Sequence, residues 1–573
     1  MKPDFKPRIA PAFFILALIV IAAFVPRFIA PRTIVHFGGM VGGWVLSILA
    51  TFIWWTFFSG IRGWMRWLPP MLFLIVVGTA AAFYPNPMLA GSVFVCAVAA
   101  NVCWLLGAIV SYRLGRPAMK KAVPLALLVA LAAVFAIRID GTDAEIVPEL
   151  SARWTKTAEQ LAMESRSHAT TSTVESVDIS PSDWPQFRGR TQDSRVVGMT
   201  IRTDWTEHPP QEIWRKRIGP GWGTFSVVGD HLYTQEQRGP NEAVVCLKAD
   251  SGDEVWAYET PARHDDGNAG TGPRATPTVS NGSVFAFGAT GILTRLDQKT
   301  GKKIWEVDIP KATGTQAPRQ FWGYASSPYV DRGLVVVFIN GGASGKGTAA
   351  FKVEDGSIAW TSGAGKHGYC TAHRATICGV DQILMANDQT LEAYDLPTGK
   401  ILWSHAWPVR SGNRSTQPIL LGNDEILFTS GYGIGTRKLK ITKSGDAWNV
   451  ATVWEAKTLK PYYNDAVFHN GLIFGFDDSA FVCLDPANGK IKWNEGAVYG
   501  FGQVLLLADQ NLLLVMAENG TVALVRADGR EYEELARFKA FDGKKTWNHP
   551  VVNRGKLYVR NGAEMACYDL GTR

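Results

Sequence analysis

Eight short phrases in this chain set polar side chains just ahead of strand-like runs: GTFSVV, RATPTV, ASSPYV, RATICG, STQPIL, YNDAVF, GFGQVL and WNHPVV. Within them Ser226, Thr276, Ser327, Thr376, Gln417, Asp465, Gln503 and His549 recur at the third position or its neighbour. The set holds hydroxyl and amide donors and acceptors, a carboxylate and an imidazole. Gathered around one opening with Trp222, Trp322, Tyr324, Arg374 and Trp547, they would dock a peptide, a protein loop or a small ligand. Thr, Ser and Pro also begin strands in any β protein, so the same column fits a purely structural role. Hydrolytic chemistry has less support: the chain has no Gly-x-Ser-x-Gly elbow and no His-Glu-x-x-His helix. His264, His367, His373 and His549 are scattered, and the HDDG run at 264–267 reads as a solvated loop before it reads as a metal-binding lid.

The elements that must position these residues come from a repeat. Gly252, Gly301, Gly356, Gly399 and Gly489 each stand four residues before a tryptophan: Trp256, Trp305, Trp360, Trp403 and Trp493. Ten residues before each Trp lies an inward position, held by Cys246, Arg295, Ala350, Ala393 and Cys483. Strand, tight turn and strand at this period predict a β-propeller, each unit supplying the outer two strands of a four-stranded blade. Weaker copies end at Trp454 and Phe538. AEMACYDL, with Cys567, stops after one strand, and QEIWRKRI around Trp214 supplies the missing partner from the other end of the domain. The expected fold is therefore an all-β eight-bladed propeller closed across its termini, which leaves no long exposed edges. The first strand of each blade is innermost, so the eight phrases should ring one mouth of the central channel.

Ahead of the propeller lies a different composition. Residues 1–138 carry 12 Lys or Arg against one acidic residue, a charge of +11, whereas the remainder carries −4. The acidic remainder argues against nucleic acid as a partner. Five apolar stretches, near 10–25, 40–58, 70–84, 90–111 and 122–138, predict about five membrane helices in contact with lipid. Lys2, Lys6, Arg8, Arg62, Arg66, Arg113, Arg116, Lys120 and Lys121 lie on one side, and Arg27, Arg32 and Arg138 on the other. That asymmetry places the N-terminus in the cytoplasm and the propeller outside, periplasmic in a diderm cell. Trp54, Trp55, Trp64 and Trp67 are expected at one interface. No acidic residue lies in the spans, which argues for an anchor rather than a pump. The expected organisation is 1–138 membrane domain, 139–182 linker with an amphipathic helix near Glu145–Ser165, and 183–573 propeller. Cys370 and Cys378 are close enough in sequence to pair without being required to.

The unit A-x-D-x-x-T-G-x-x-x-W, complete in Ala393, Asp395, Thr398, Gly399 and Trp403, resembles the repeat of pyrroloquinoline quinone (PQQ) propellers. The opening DWPQFRGRTQDS at 183–194 is similar to that of PQQ-like, BamB-like propeller proteins, and five spans joined to a propeller resemble membrane PQQ glucose dehydrogenase. The dehydrogenase resemblance implies PQQ with calcium over the channel mouth and electrons passed to membrane quinone. Asp465 would then be the general base, Asp465 with Asn464 would meet the cation, and Arg274 and Arg374 would meet quinone or carboxylate oxygens. No two cysteines are adjacent, unlike the alcohol dehydrogenases of that group, and long insertions are missing. The leading expectation is thus a membrane-anchored binding or scaffold propeller in the cell envelope with a protein or peptide partner. A PQQ-dependent oxidoreductase acting on an alcohol or sugar is the alternative. The metal ligands beyond that pair are left open.

Overall fold

A computed structural model describes residues 9–29, 34–61, 63–84, 90–112, 115–142, 148–166, 178–266, 270–315, 322–341, 344–409, 413–543 and 545–571. The chain forms two compact units, Met1–Lys156 with Asp265–Gly270, and Thr157–His264 with Thr271–Arg573.

The first unit holds five apolar helices, α1 (Ala10–Ile29), α2 (Ile34–Ile53), α3 (Leu68–Phe83), α4 (Ala90–Ser111) and α5 (Gly115–Ala136). Four helical stretches, His36–Phe58, Trp64–Phe83, Gly91–Ser111 and Pro117–Ala136, are long and apolar enough to cross a membrane, and Ala10–Pro26 is shorter. Gly39 and Gly43 let α2 approach Pro26 and Ala22 of α1, where an added Cβ would come within 3.1 and 2.3 Å. Asn101 Nδ2 donates to Ser47 Oγ at 3.2 Å, joining α4 to α2. Trp54 and Trp55 are 3% and 1% exposed, inside the helical core. The Trp55 indole can bury because its N–H donates to the Arg66 carbonyl at 3.0 Å. Trp64 and Trp67 are exposed. Of the charges that set the expected orientation, Lys2, Lys6, Arg8, Arg32, Arg62 and Arg113 lie outside the described residues.

The stretch expected to be one helix over Glu145–Ser165 is not one. Pro148–Ala152 pairs antiparallel with Ile137–Thr142 as a hairpin, and α6 (Ala158–Ser165) starts only at a capping box between Thr157 and Gln160. Proline cannot donate inside a helix, and the cap fixes the start. Glu159 then accepts from Gly239 N at 2.7 Å and pairs with Arg263, seating α6 on blade 1.

Eight sheets form the propeller: blades 1–7 span 226–261, 278–308, 329–362, 373–406, 419–456, 467–494 and 503–539. Blade 8 joins the three strands of 551–569 to Gln211–Arg217 from the start of the domain, closing the ring as expected. Blade 7 gains a fifth strand, Arg195–Val196, parallel to its innermost one.

The Gly–Trp repeat is a pillar between blades. The indole N–H groups of Trp214, Trp256, Trp305, Trp360, Trp454 and Trp493 donate to carbonyls of Ala249, Gln298, Val353, Leu396, Pro486 and Asp528, each in the following blade, at 2.7–3.1 Å. Gly252, Gly301, Gly356, Gly399 and Gly489 have φ between 66° and 74°, as the tight turn requires. A second reason was not legible in the repeat: each glycine also lies under the preceding blade's indole, where a Cβ would come within 2.5–2.9 Å of the ring. Blade 5 has a longer hairpin, and Trp403 of blade 4, which precedes it, instead donates to Gln382 Oε1 of its own blade. Asp297 accepts from Thr300 N and Oγ1, so the conserved-looking D-x-x-T-G phrase is turn chemistry. The position ten before each Trp is its cross-strand partner, as in Cys246 with Trp256 and Cys567 with Trp214. Cys246, Cys483 and Cys567 are free and fully buried, and burial pushes the Cys483 and Cys567 thiols up to about 12. Cys370 and Cys378 are also free, lying against Thr416 O and Ile441 O respectively.

Candidate functional site

The phrases ahead of the innermost strands do converge, and most of their polar groups tie one blade to the next. Thr224 N donates to Thr276 Oγ1, Thr276 N to Ser327 Oγ, and Ser327 N to Thr371 Oγ1, each at 3.0 Å. Cys370 Sγ meets Thr416 O at 3.2 Å, and Gln417 N donates to Asp465 Oδ1 at 2.7 Å. Gln503 Nε2 donates to Trp547 O at 2.9 Å and Tyr463 O at 3.4 Å. Asn548 Nδ2 donates to Gly223 O at 2.6 Å, and Thr224 Oγ1 to His549 O at 2.5 Å. These contacts form a belt around all eight blades, so the polar column is a closure device before it is anything else. Ser226 serves the same end, donating to Pro277 O.

Two expected members lie elsewhere. The blade 4 position in the belt is Thr371, not Thr376. The innermost strand there is His373–Ile377, and Thr376 is exposed one residue before its turn. Arg374 sits on the same strand and pairs with Asp381 at 2.8 Å and Asp331 at 3.9 Å, toward the turn ends of the strands. The phrase RATICG lies within and beyond the strand, because blade 4 enters through YCTA at 369–372. Tyr324 is 1% exposed, packed against Phe287 at 5.1 Å between ring centroids, below the mouth surface. Arg274 reaches back to the Gly272 carbonyl. The HDDG run continues into Gly267, outside the described residues.

The DWPQFRGRTQDS opening lies across the channel, touching six blades. Trp184 bridges to Val227, Pro185 O accepts from Val279 N, and Asn553 Nδ2 donates to Ser182 O. Gln192 Nε2 donates to Ala372 O at 2.7 Å, Arg188 Nη2 to Ala466 O at 3.0 Å, and Leu506 N to Ser194 O at 2.8 Å. Arg188, Gln192 and Ser194 adopt φ of 62°, 59° and 57° and are all buried. Arg188 approaches Asp465 to 3.6 Å. Burial raises the Asp465 carboxyl above its usual range, against the pull of Arg188 and of the Gln417 N–H. The sequence phrase was legible as a family opening, but nothing in its spacing says that it enters the channel.

His373 and His549 lie near Arg188, and burial with that guanidinium pushes both down to about 3. They are therefore neutral in the fold and take up protons on unfolding, where their range is near 6.5. Their contribution is present above pH ~6.5 and is lost as pH falls toward about 3. Thermal unfolding of the full chain in detergent should show a midpoint that falls steadily from pH 7 to 4. His373→Gln with His549→Gln should flatten that limb; an unchanged slope would assign it to other groups.

At the strand-start mouth, aromatic rings form a continuous arc. Trp222 and Trp547 have centroids 5.3 Å apart, Trp547 and Tyr463 5.3 Å, Tyr463 and Phe501 6.1 Å, Phe501 and Tyr462 5.2 Å, and Tyr462 and Tyr432 4.5 Å. Trp322 pairs with Tyr369 at 5.3 Å. Trp222, Trp322, Tyr463 and Trp547 are partly exposed. Trp547 is held rigid by its indole N–H on Glu518 Oε1 at 2.8 Å. Beneath lie Gln417 Oε1, Asn464 Nδ2, Gln503 Oε1 and Asn548 Oδ1, buried with no hydrogen-bond partner among the described residues. Buried polar atoms of this kind are satisfied by ordered water or by a ligand.

Eight sheets, six of them pillared by tryptophan on the next, sealed by strands from both ends of the domain and belted at one mouth, define a propeller of the PQQ-like repeat class. The family model described as outer membrane protein assembly factor BamB matches residues 208–323, 313–495 and 387–573, and the chain belongs to that family. A relative with the name outer membrane protein assembly factor BamB, from Burkholderia pseudomallei (strain K96243), is 22% identical over 384 residues, covering 54% of this chain and 93% of its own. One of the same name from Moranella endobia (strain PCIT) is 22% identical over 310 residues, covering 50% and 73%. Among solved structures, quinohemoprotein alcohol dehydrogenase from Comamonas testosteroni superposes with a TM-score of 0.51 at 14% identity, over 68% of this chain and 81% of that one. That likeness is one of fold.

Among the described residues, the mouth groups expected to serve PQQ with a cation are engaged within the fold. Asp465 is engaged by Arg188 and Gln417, and Asn464 Oδ1 accepts from Tyr462 N at 3.0 Å. Among the described residues the one cluster of carboxylates and histidine with metal-ligand spacing is Asp204, Glu207 and His208, on a turn ahead of Gln211–Arg217. Glu518 adds negative charge beside Trp547, where a polycarboxylate cofactor would need the opposite.

Proposed function

We propose that this chain is a membrane-anchored, extracytoplasmic propeller of the cell envelope. It binds or scaffolds an envelope protein, peptide or polymer at its strand-start mouth. The helices hold it to lipid, with the N-terminus in the cytoplasm by the distribution of Lys and Arg. One observation carries the reading: the belt and Arg188 already engage Asp465, whereas Trp222, Tyr463 and Trp547 of the ring arc are partly exposed and nearby amide atoms have no hydrogen-bond partner among the described residues. Rigid aromatic faces at a mouth where loops converge are suited to recognition. The family membership supports the same direction.

The test uses the full chain. A photo-crosslinking residue at Trp547, in membranes of the native host, should capture one reproducible partner, and one at Ile304 on the rim of blade 2 should not. Purified protein incubated with PQQ and Ca²⁺ should show neither bound-quinone absorbance nor dye reduction with alcohols or sugars. Absorbance together with dye reduction that is lost in Asp465→Asn would overturn the scaffold reading and restore the oxidoreductase, with electrons passing to quinone.

A further inference from the structure

The position that pairs across the sheet with each strand-end aromatic is small or apolar in six blades: Cys246, Ala350, Ala393, Cys483, Val522 and Cys567. Blade 5 holds Lys438 there, neutralised by Glu425 at 2.9 Å. Blade 2 holds Arg295, opposite Trp305. Its Nε donates to Ser283 Oγ at 3.0 Å, and its Nη1 donates to Val353 O of blade 3 at 2.7 Å. Among the described residues Arg295 has no carboxylate partner, and its Nη2 makes no hydrogen bond. The side chain lines a cavity of about 150 Å³ between blades 2 and 3, at the end of the innermost strands away from the mouth. Ser280 and Ser283 add hydroxyls to the wall, and Phe285, Val330 and Val353 add apolar surface. Asp331 lines the cavity too, but Asp331 and Asp381 are matched one for one by Arg332 and Arg374. Arg295 is the charge left in excess.

We propose that this cavity binds a short aliphatic carboxylate, either a free acid or an acidic side chain of a partner. A half-buried guanidinium without a counter-charge loses hydration, a cost that Ala or Cys at the same repeat position avoids, and a bound anion offsets it. The fork of a guanidinium matches a carboxylate, and Nη2 is the donor that the fold leaves over. The serine hydroxyls can donate to the second oxygen. Phe285, Val330 and Val353 suit a stem of a few carbons, which gains by leaving water. Asp331 sets the charge: a carboxylate on the wall repels a doubly charged phosphate more than a singly charged acid. Size sets the length: about 150 Å³ is several times the ~30 Å³ that one water occupies in the liquid, enough for a small acid or one side chain.

The test uses the full chain in detergent at neutral pH and constant ionic strength, with propionate as the probe. Saturation-transfer difference NMR should show propionate bound with millimolar affinity, and propionamide, of the same shape without the charge, should give no signal. Arg295→Ala installs the residue that blades 3 and 4 carry at this position. It should weaken propionate about tenfold or more without lowering the thermal midpoint. Arg295→Gln, which keeps the stem and removes the charge, should weaken it to the same degree, and Arg295→Lys should retain part of the affinity. Displacement of propionate by a doubly blocked Ala-Glu-Ala tripeptide assigns the carboxylate to a partner's side chain, and its failure to displace assigns a free acid. Absence of a propionate signal in correctly folded wild type overturns the proposal. So does equal binding of propionamide, displacement by inorganic phosphate at equal concentration, or propionate affinity unchanged in Arg295→Ala and Arg295→Gln.

Discussion

At neutral pH, Asp465→Ala should destabilise the propeller more than Arg188→Ala, and only the second defect should be relieved by acid. Both residues are buried, 4% and 3% exposed, and their charged atoms lie 3.6 Å apart. Breaking a buried pair from one side costs about 3–5 kcal/mol, because the remaining charge loses its counterion. The two remnants differ. A stranded guanidinium cannot release its proton, whereas a stranded carboxyl can take one up. Burial already holds the Asp465 carboxyl above its usual range, so loss of Arg188 raises it further and protonation neutralises the defect as pH falls. Denaturant unfolding of the full chain in detergent at pH 7.5 and pH 5 measures this. Arg188→Ala should recover part of its loss at the lower pH relative to wild type, and Asp465→Ala should not. Arg188→Met with Asp465→Leu should cost less than either single change. Equal, pH-independent losses would mean that the two side chains are not energetically coupled.

Trp256→Ala should lower stability by about 3–5 kcal/mol, the range for emptying a large buried aromatic site. The side chain is 2% exposed, and its indole donates to Gln298 O at 3.1 Å. Gly301→Ala should cost roughly 2–3 kcal/mol, since φ is 66° and the new Cβ would come 2.5 Å from the Trp256 ring. The informative result is the pair. Once the indole is gone the added methyl has room, so the double variant should be less destabilised than the sum by about 1 kcal/mol or more. Thermal unfolding followed by near-ultraviolet circular dichroism reads all three. Strict additivity would reduce Gly301 to its turn geometry and remove the pillar contact between blades 1 and 2.

Blade number, strand order and closure were legible because they rest on period. A turn glycine, a strand-end tryptophan and an inward partner ten residues earlier recur wherever the local geometry recurs, and Trp214 with Cys567 identified the seam from opposite ends of the domain. Within the site, the phrase pattern named Trp547 and Gln503, and in the fold Gln503 Nε2 donates to Trp547 O. Thr376 and Arg374 could not be separated from the true belt position, Thr371. Thr371 precedes the innermost strand of blade 4 and Thr376 lies near that strand's far end, and Thr-Ser-Pro composition does not record which of the two stands at the strand start.

By itself the chain's amino-acid order determined the repeat, the number of sheets, the apolar helices and the family, all of them legible in composition and period. Only the tertiary structure decided what Asp465 does. Its partner Arg188 is far away in sequence and arrives through a segment in left-handed backbone that no periodicity announces. The same holds for the mouth, where Trp222 meets Trp547 across the closing seam. A carboxylate's chemistry is set by the charge and burial around it, and those are supplied by the ring's closure in space rather than by sequence neighbours.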